Sequence, residues 1–337
     1  MQSFISLDYE QQIASYKQAA TIALKAYDVA LEAISIEPIS LVNNATFKVL
    51  EATADGVTRQ FALRIHRPDG EKIEAIRSEL LWLQAIRRNT TLKTPHPVPT
   101  ISGEPLVSVS LTGLKDVLNC VLFEWLEGDY LRTSEQTPES SYQVGQFAGA
   151  LHQQSSQFSS TSGLVRRRLD GNSIFDRSIL TVSVDRSSLF TQEHIQIFQQ
   201  VEERTQTVFG KLDQDHQTFG LIHSDLIWKN YFFHETGVGA LDFDSCSWGY
   251  FLYDLAPTLL GYRDESGYPD LRKACLSGYR SVRHLPAQHE QYLDTLIAAR
   301  HLISCVWLAG HLDNPDLRQN ASSIIAYRIS EMCDLIE

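Results

Sequence analysis

The chain has 337 residues, of which 43% are hydrophobic and 21% charged, values typical of a folded globular protein with a sizeable core. This length predicts two structural units rather than one. The net charge of −12 argues against general binding to nucleic acid or to an anionic membrane, and it is compatible with a cationic small-molecule partner.

Cysteine usage and the N-terminal segment indicate the cellular compartment. The five cysteines are scattered, with no CxxC pair and no metal-ligand spacing, so we expect reduced thiols. The segment MQSFISLDYEQQIASYK lacks a basic start followed by an apolar run, and predicts no signal peptide. No stretch looks apolar for long enough to span a bilayer, so we expect a cytoplasmic protein.

The N-terminal half predicts a leading helix followed by a sheet. Repeated apolar residues without Pro or Gly predict a helix over residues 9–33. Later segments are short and rich in β-branched and aromatic residues, and an Asp-Gly pair in TADGV predicts a hairpin. The segments in question are AISIEPISLV, ATFKVLEA, TRQFALRIHR, EPLVSVSL and DVLNCVLFEWLEG. We therefore expect an antiparallel sheet over residues 34–126, with one helix inserted at 71–88 where apolar residues recur at helical spacing.

The chain is predicted to be mainly helical from residue 139 onwards. Two short strands, at 219–222 and 231–242, interrupt the helices around the sequence HSDLIWKNYFF. The predicted fold class is therefore α+β. We expect a β-rich lobe over 1–126, a helical lobe over 127–337, and a cleft between them.

Three polar residues follow the apolar strands of the second half. Asp225 and Asn230 stand in an H-x-D-x-x-x-x-N frame, the spacing of the kinase catalytic loop, and Asp242 follows 17 positions after Asp225 in ALDFD. Phosphoryl transfer from ATP needs an acceptor for the hydroxyl proton and hard oxygen ligands for Mg²⁺. We expect the elements HSDLIWKN and ALDFD to form a hairpin that holds these three side chains around one small volume.

The first half contains residue types suited to binding a nucleotide. In FALR, Ala62 is expected to lie under the adenine and Arg64 to reach the phosphates from the same strand face. Glu79 on the following helix is placed to pair with Arg64, although a plain surface ion pair is the alternative. Backbone groups near Glu124 and Leu126, in VLFEWLEG, are expected to hold the adenine edge.

The sequence resembles the aminoglycoside phosphotransferase and choline kinase family, the small-molecule branch of the protein-kinase-like fold. The most specific similarity is in LIHSDLIWKNYFF and GALDFDSCSWGYFLYDLA. The resemblance implies a small antiparallel β lobe with one key helix and a larger helical lobe carrying the acceptor site. It also implies ATP and Mg²⁺ as cofactors, Asp225 as catalytic base, Asn230 and Asp242 as metal ligands, and Asp254 as an acid that anchors the helical lobe.

The chain departs from the family pattern at three places. Ser224 replaces the usual Gly, which a loop tolerates if the φ angle there is not positive. Ile227, Trp228 and Lys229 replace what is often His-x-Gly, and they bring bulk and charge beside the transfer site. No glycine-rich loop precedes FALR, so LVNNATF is expected to cover the phosphates.

Several interpretations stay open on the sequence alone. The acceptor is a small-molecule hydroxyl on an aminoglycoside, an amino alcohol, a homoserine-like amino acid or a sugar. The rival functions are a protein Ser/Thr kinase of the same fold and a nucleotide-binding pseudokinase sensor. Asp244 could exchange roles with Asp242, and His223 is expected to be a structural histidine that bonds to backbone.

Overall fold

The structure is a computed structural model that describes residues 1–42, 44–53, 56–158, 163–170, 189–312 and 314–337. The chain divides into two compact units. The first unit contains Met1–Arg88, Thr94–Glu127 and Gly163–Val165. The second unit contains Asn89–Lys93, Gly128–Ser162 and Arg166–Glu337.

A five-stranded antiparallel sheet forms the first unit, as the sequence predicts. The strands run in the order β1-β2-β3-β5-β4, and the β2–β3 pair is the predicted hairpin. Gly56 in its turn has a φ of 82°, while Asp55 lies outside the described residues. The elements are α1 (Tyr9–Leu24), β1 (Ile34–Leu41), β2 (Ala45–Ala52), β3 (Thr58–Ile65), α2 (Ile73–Asn89), β4 (Val107–Ser110) and β5 (Val117–Glu124).

One face of the sheet and helix α1 bury a common apolar core. Phe61, Leu63 and Ile65 alternate along β3 and are all buried, as the period of two requires. Helix α1 ends at Leu24, so the prediction of a helix to residue 33 was wrong. Tyr27 is instead buried against the sheet, where its hydroxyl accepts a hydrogen bond from Leu122 N at 3.3 Å. Tertiary packing here overrides local helix propensity.

The second unit is mostly helical, with two small sheets. One sheet has the strand order β6-β10-β7 and the other is the β8–β9 hairpin. The strands are β6 (Arg168–Leu169), β7 (Phe219–Ile222), β8 (Tyr231–His234), β9 (Gly237–Ala240) and β10 (Ser247–Tyr250). The helices are α3 (Pro138–Gln157), α4 (Gln192–Phe209), α5 (Phe251–Asp254), α6 (Ala256–Tyr262), α7 (Tyr268–Val282), α8 (Leu293–Gly310) and α9 (Pro315–Ile336).

The predicted strand at 231–242 is in fact a complete hairpin. Gly237 has a φ of 139°, which lets the chain reverse between β8 and β9. Thr236 bonds to His234 Nδ1 through its amide at 3.3 Å and its hydroxyl at 3.1 Å, which tightens this turn. Strand β7 pairs with β10. The β8–β9 hairpin joins the segments that carry Asn230 and Asp242, as the sequence predicts.

Helices α3 and α7 approach each other so closely that two glycines are required. A Cβ atom at Gly145 would lie 1.9 Å from Cys275 O, and one at Gly278 would lie 1.9 Å from Tyr142 O. Both distances are far below a van der Waals contact. The backbones of the two helices can touch only because each residue lacks a side chain.

One helical segment among the described residues, Ala287–Gly310, is long and apolar enough to cross a membrane. The sequence expectation of no such stretch was therefore too strict. In this fold 67% of the apolar window is buried inside the protein, where α8 serves as a core helix.

Candidate active site

The loop between β7 and β8 brings Asp225 and Asn230 together. Asn230 Nδ2 donates to Asp225 Oδ2 at 3.1 Å and to Asp225 O at 2.9 Å. Ile227 N donates to Asp225 O, and Asn230 N donates to Ile227 O, each at 2.8 Å. These bonds fold the five-residue spacing into one compact turn, so the amide group orients the carboxylate.

Asp242 follows β9 and has a left-handed backbone, with φ and ψ both 60°. The preceding residue connects it to the loop, because Leu241 N donates to Asn230 O at 2.7 Å and His223 Nε2 donates to Leu241 O at 2.8 Å. The structure therefore places Asp225, Asn230 and Asp242 on adjacent segments. The β8–β9 hairpin joins the segments that carry Asn230 and Asp242, as the sequence predicts.

Within the described residues, the hydrogen bonds of the buried His223 ring go to backbone groups, as expected. His223 Nδ1 accepts from Asp225 N at 3.3 Å while Nε2 donates to the Leu241 carbonyl. This fixes the imidazole tautomer and ties the Asp225 loop to the segment before Asp242.

Asp254 anchors the first residues of the loop between β7 and β8. Its fully buried carboxylate accepts from His223 N at 2.8 Å, Ser224 N at 2.6 Å and His152 Nε2 at 3.0 Å. Burial alone would raise the pKa of Asp254, but the hydrogen bonds from His152 and from the His223 amide outweigh it, so the pKa lies below its ordinary value. Asp254 is thus an ionised acceptor that anchors residues 223 and 224.

His152 and Tyr279 complete this network, and the sequence did not indicate either residue. Burial lowers the pKa of His152 even though Asp254 opposes the shift. The imidazole is therefore neutral: Nε2 donates to Asp254, and Nδ1 accepts from the Tyr279 hydroxyl at 3.0 Å. The network joins α3, α5 and α7 beneath the loop.

Ser224 adopts the backbone conformation that the sequence analysis required it to avoid. Its φ is 71°, in the left-handed region that glycine occupies without cost. The side chain is buried, and its hydroxyl has no hydrogen-bond partner among the described residues. Such a conformation costs about 1–3 kcal/mol in a non-glycine residue. The bond from Ser224 N to Asp254 holds it in place.

A second residue that sequence reasoning missed is Arg300 on α8. Its Nη2 donates to Asp225 Oδ1, and its Nη1 donates to Ser304 Oγ. Burial would lower the pKa of this guanidinium, but the Asp225 carboxylate more than offsets it and the pKa is raised. An arginine within the apolar run of α8 was the available signal, since charged residues are rarely buried unless they are paired.

Arg166 supports the segment that follows Asp242. Its Nε donates to Cys246 O at 2.6 Å, and its Nη2 donates to Asp244 O. Asp244, the alternative ligand considered from the sequence, is buried. The guanidinium thus fixes the path of the backbone immediately after the candidate metal ligand.

The first unit contains the predicted Arg64–Glu79 pair. Arg64 Nη2 lies 2.8 Å from Glu79 Oε1 and 2.7 Å from Oε2, and both side chains are buried, so this is not a surface ion pair. Ala62 is half-buried on the same strand, opposite Phe123 in register. The guanidinium also lies 5.0 Å from the centre of the Phe123 ring.

The predicted adenine-binding segment follows β5. The Glu124 amide donates to His96 O at 2.9 Å, and its side chain is exposed and pairs with Arg87 at 2.7 Å. Leu126 is half-buried, and no hydrogen bond to another described residue engages its amide. The Leu126 N–H is therefore a donor in this segment that remains available to a ligand.

The segment Ile227-Trp228-Lys229, which departs from the family pattern, lies beside helix α6. The Trp228 ring is close to Gly261, where a Cβ atom would meet its Cδ1 at 3.6 Å. Lys229 is exposed, and its Nζ lies 5.2 Å from the centre of the Trp228 ring. The substitution changes the wall of the loop and leaves the Asp225–Asn230 geometry intact.

The residues present suit a hard divalent cation rather than a transition metal. No group of three or more His, Cys, Asp or Glu side chains in the described ranges could hold a metal ion by itself. A carboxylate from Asp242 and the amide oxygen of Asn230 are the oxygen ligands that Mg²⁺ prefers, with phosphate oxygens completing the coordination.

The five-stranded sheet with its buried Arg64–Glu79 pair, the helical second unit and the Asp225 loop define a protein-kinase-like α+β fold. A family model described as the phosphotransferase enzyme family matches residues 35–290. The chain belongs to this family. As a member of it, the protein is a phosphotransferase.

Solved structures with similar folds are small-molecule kinases. A microcompartment-associated aminopropanol kinase is 24% identical, with a TM-score of 0.75 over 93% of this chain and 95% of that chain. An amicoumacin kinase in complex with AMP-PNP, Ca²⁺ and Ami is 18% identical, with a TM-score of 0.76 over 97% of this chain and 94% of that chain. The choline kinase of Cryptosporidium parvum is 14% identical, with a TM-score of 0.65 over 95% and 96%. The curated protein sequences gave no match.

Proposed function

We propose that the protein transfers the γ-phosphoryl group of ATP to a hydroxyl of a small molecule, with Asp225 as the base. The observation that carries this proposal is the turn in which Asn230 Nδ2 donates to the Asp225 carboxylate at 3.1 Å. Orientation of that carboxylate is what phosphoryl transfer requires, because the protein contributes mainly positioning and charge stabilisation.

In the proposed mechanism, Asp225 accepts the proton of the acceptor hydroxyl as the new P–O bond forms. Each carboxylate oxygen has two lone pairs, so the bonds from Arg300 and Asn230 leave capacity for the hydroxyl. Asn230 donates through Nδ2, which leaves its Oδ1 facing away from Asp225 as a ligand for Mg²⁺ together with Asp242. The metal ion would neutralise charge on the phosphate oxygens.

In the first unit, we assign the phosphate contact to Arg64. Glu79 holds its Nη2, and this restrains the guanidinium so that less entropy is lost on binding. The small side chain of Ala62 leaves space for the adenine ring. The Leu126 amide and the Glu124 carbonyl are the groups that would bond to the edge of the base.

Three structural neighbours support a small-molecule acceptor over a protein acceptor. They are kinases of aminopropanol, amicoumacin and choline, and each aligns over at least 93% of this chain. Retention of the base, the amide and the second acid supports an active enzyme over a pseudokinase sensor.

The test is ADP release with Mg·ATP across a panel of hydroxyl acceptors, for the wild type, Asp225→Asn and Asp242→Asn. Asp270→Asn is the matched control, because Asp270 is an exposed aspartate at the start of α7. Removal of the base should lower kcat by about 100-fold or more. Wild-type turnover in Asp225→Asn would remove the assignment of the base. ATP binding without stimulated ADP release by any acceptor would overturn the proposed function.

A further inference from the structure

Helices α6, α8 and α9 of the second unit enclose a partly open cavity of about 410 Å³. Its wall combines apolar and polar side chains, including Leu260, His301, Ser304, Ile324, Tyr327 and Arg328. None of these residues belongs to the catalytic loop described above.

Several polar atoms in the cavity wall have no hydrogen-bond partner among the described residues. His301 is 1% exposed, and neither of its ring nitrogens has a hydrogen-bond partner in the described part of the chain. Arg328 Nη1 is also buried without a hydrogen-bond partner in the described ranges. Buried polar groups of folded proteins are almost always hydrogen-bonded, which makes these atoms candidate contacts for a ligand.

The unpartnered groups carry a net positive charge. Over the described ranges, no carboxylate pairs with Arg328, since Glu331 pairs with Arg263 at 2.6 Å and Asp264 accepts from the Tyr327 hydroxyl at 2.7 Å. Burial lowers the pKa of Arg328, and the positive charge of Arg300 acts in the same direction. The guanidinium nevertheless stays charged near neutral pH, because its ordinary pKa is so high.

His301 adds a neutral donor to that charge. Burial and three nearby arginines lower its pKa to about 3, so at neutral pH the ring holds a single N–H. A neutral N–H beside one guanidinium can bind a monoanion without adding a second positive charge. The cavity thus suits one carboxylate rather than a dianionic phosphate.

The cavity is connected to Asp225 through helix α8. Arg300 donates from Nη2 to Asp225 and from Nη1 to Ser304 Oγ, and Ser304 lies in the cavity wall. Ser304 is one helical turn after Arg300, an axial rise of about 6 Å. The Arg300 guanidinium therefore bonds to both the Asp225 carboxylate and a residue of the cavity wall.

We propose that the acceptor is a hydroxy acid, whose carboxylate binds Arg328 and His301 in this cavity while its hydroxyl faces Asp225. This inference rests on the proposed function and names the class of substrate. It differs from the expectation of a cationic acceptor, because the unpaired charge in the cavity wall is positive. An amino group elsewhere on the acceptor is compatible with it.

The first experiment compares acceptors that differ only in the carboxylate. Homoserine is paired with 3-aminopropanol, serine with ethanolamine, and 4-hydroxybutyrate with 1-butanol, and glycerol 3-phosphate is compared with glycerol as the phosphate arm. We expect kcat/KM for ADP release to be at least tenfold higher for the carboxylate member of one or more pairs. A preference for the partners without carboxylate, or for the phosphate, would overturn the inference while the kinase function stands.

The second experiment changes the cation. Arg328→Gln should raise KM for the preferred hydroxy acid by tenfold or more with little change in KM for ATP, and Arg328→Lys should recover part of the loss. Arg318→Gln is the matched control, because Arg318 is an exposed arginine on the same helix. Urea unfolding of each variant checks that the fold is kept. An unchanged KM in Arg328→Gln would contradict the assignment.

Calorimetry separates this inference from the proposed function. If no acceptor stimulates ADP release, the proposed function fails, and binding of 4-hydroxybutyrate to wild type and Arg328→Gln then tests the anion site alone. Weaker binding to the variant would support a carboxylate site, and equal binding or no binding would overturn it.

Discussion

Replacement of Asp254 by Asn would test whether one buried carboxylate holds the catalytic loop. The carboxylate accepts from the amides of His223 and Ser224 and from the ring of His152, and all of these groups are buried. Asn keeps one acceptor oxygen and adds an NH₂ group that faces another donor. At least one buried donor then loses its partner, and the charge that strengthened the remaining bonds is lost.

The magnitude follows from those contacts. A buried donor left without a partner costs about 1–3 kcal/mol, and a hydrogen bond to a charged group contributes about 1.5–3 kcal/mol. We expect Asp254→Asn to lower the free energy of unfolding by about 3–5 kcal/mol, since both losses occur together. We also expect kcat to fall by at least about tenfold, because Ser224 would no longer be held in its left-handed conformation.

Urea unfolding followed by circular dichroism measures the first quantity, and ADP release measures the second. Asp270→Asn provides the control for the same chemical change at an exposed site. A loss of less than about 1 kcal/mol in Asp254→Asn, with unchanged kcat, would refute the role of this carboxylate.

Other predictions concern strain, pH and packing. Ser224→Gly should raise the free energy of unfolding by about 1 kcal/mol, since glycine accepts the φ of 71° at no steric cost. Urea unfolding should show this as a higher midpoint, and a lower midpoint would contradict the strain at Ser224. The folded pKa of His301, about 3, lies below its unfolded value of 6.5, so the unfolded chain binds more protons between them. Stability should therefore fall by about 2 kcal/mol from pH 6.5 to pH 5, and His301→Gln should reduce that dependence in urea titrations. Gly278→Ala should cost about 3 kcal/mol, because its Cβ would meet Tyr142 O at 1.9 Å. Gly310→Ala, with nothing within 4 Å, should show no such loss of thermal stability.

Local patterns were sufficient to predict much of the fold. The alternation in FALR and the Asp-Gly turn predicted the β2–β3 hairpin, and both are properties of a few consecutive residues. The Arg64–Glu79 pair was also predictable, since a strand and the helix that follows it limit which side chains can meet. The pairing of β7 with β10 was not predictable from local patterns, because it depends on packing between segments that are distant in the sequence.

The parts of the candidate site that sequence reasoning missed depend on tertiary contacts. Arg300 lies 75 positions from Asp225, and nothing local indicates which arginine reaches that carboxylate. The positive φ of Ser224 was missed for a different reason. A serine in a glycine position has two possible outcomes, a changed backbone or a strained residue, and only the buried contact with Asp254 shows that the strained residue occurs here.

The close crossing of α3 and α7 has a consequence for how mutations spread through this enzyme. Gly278 is followed directly by Tyr279, whose hydroxyl bonds to His152 on the opposite helix, and His152 in turn bonds to Asp254. The separation of the two helix backbones therefore determines where the loop amides are held. The methyl group that Gly278→Ala adds between α3 and α7 should therefore alter turnover as well as stability, although it touches neither nucleotide nor acceptor.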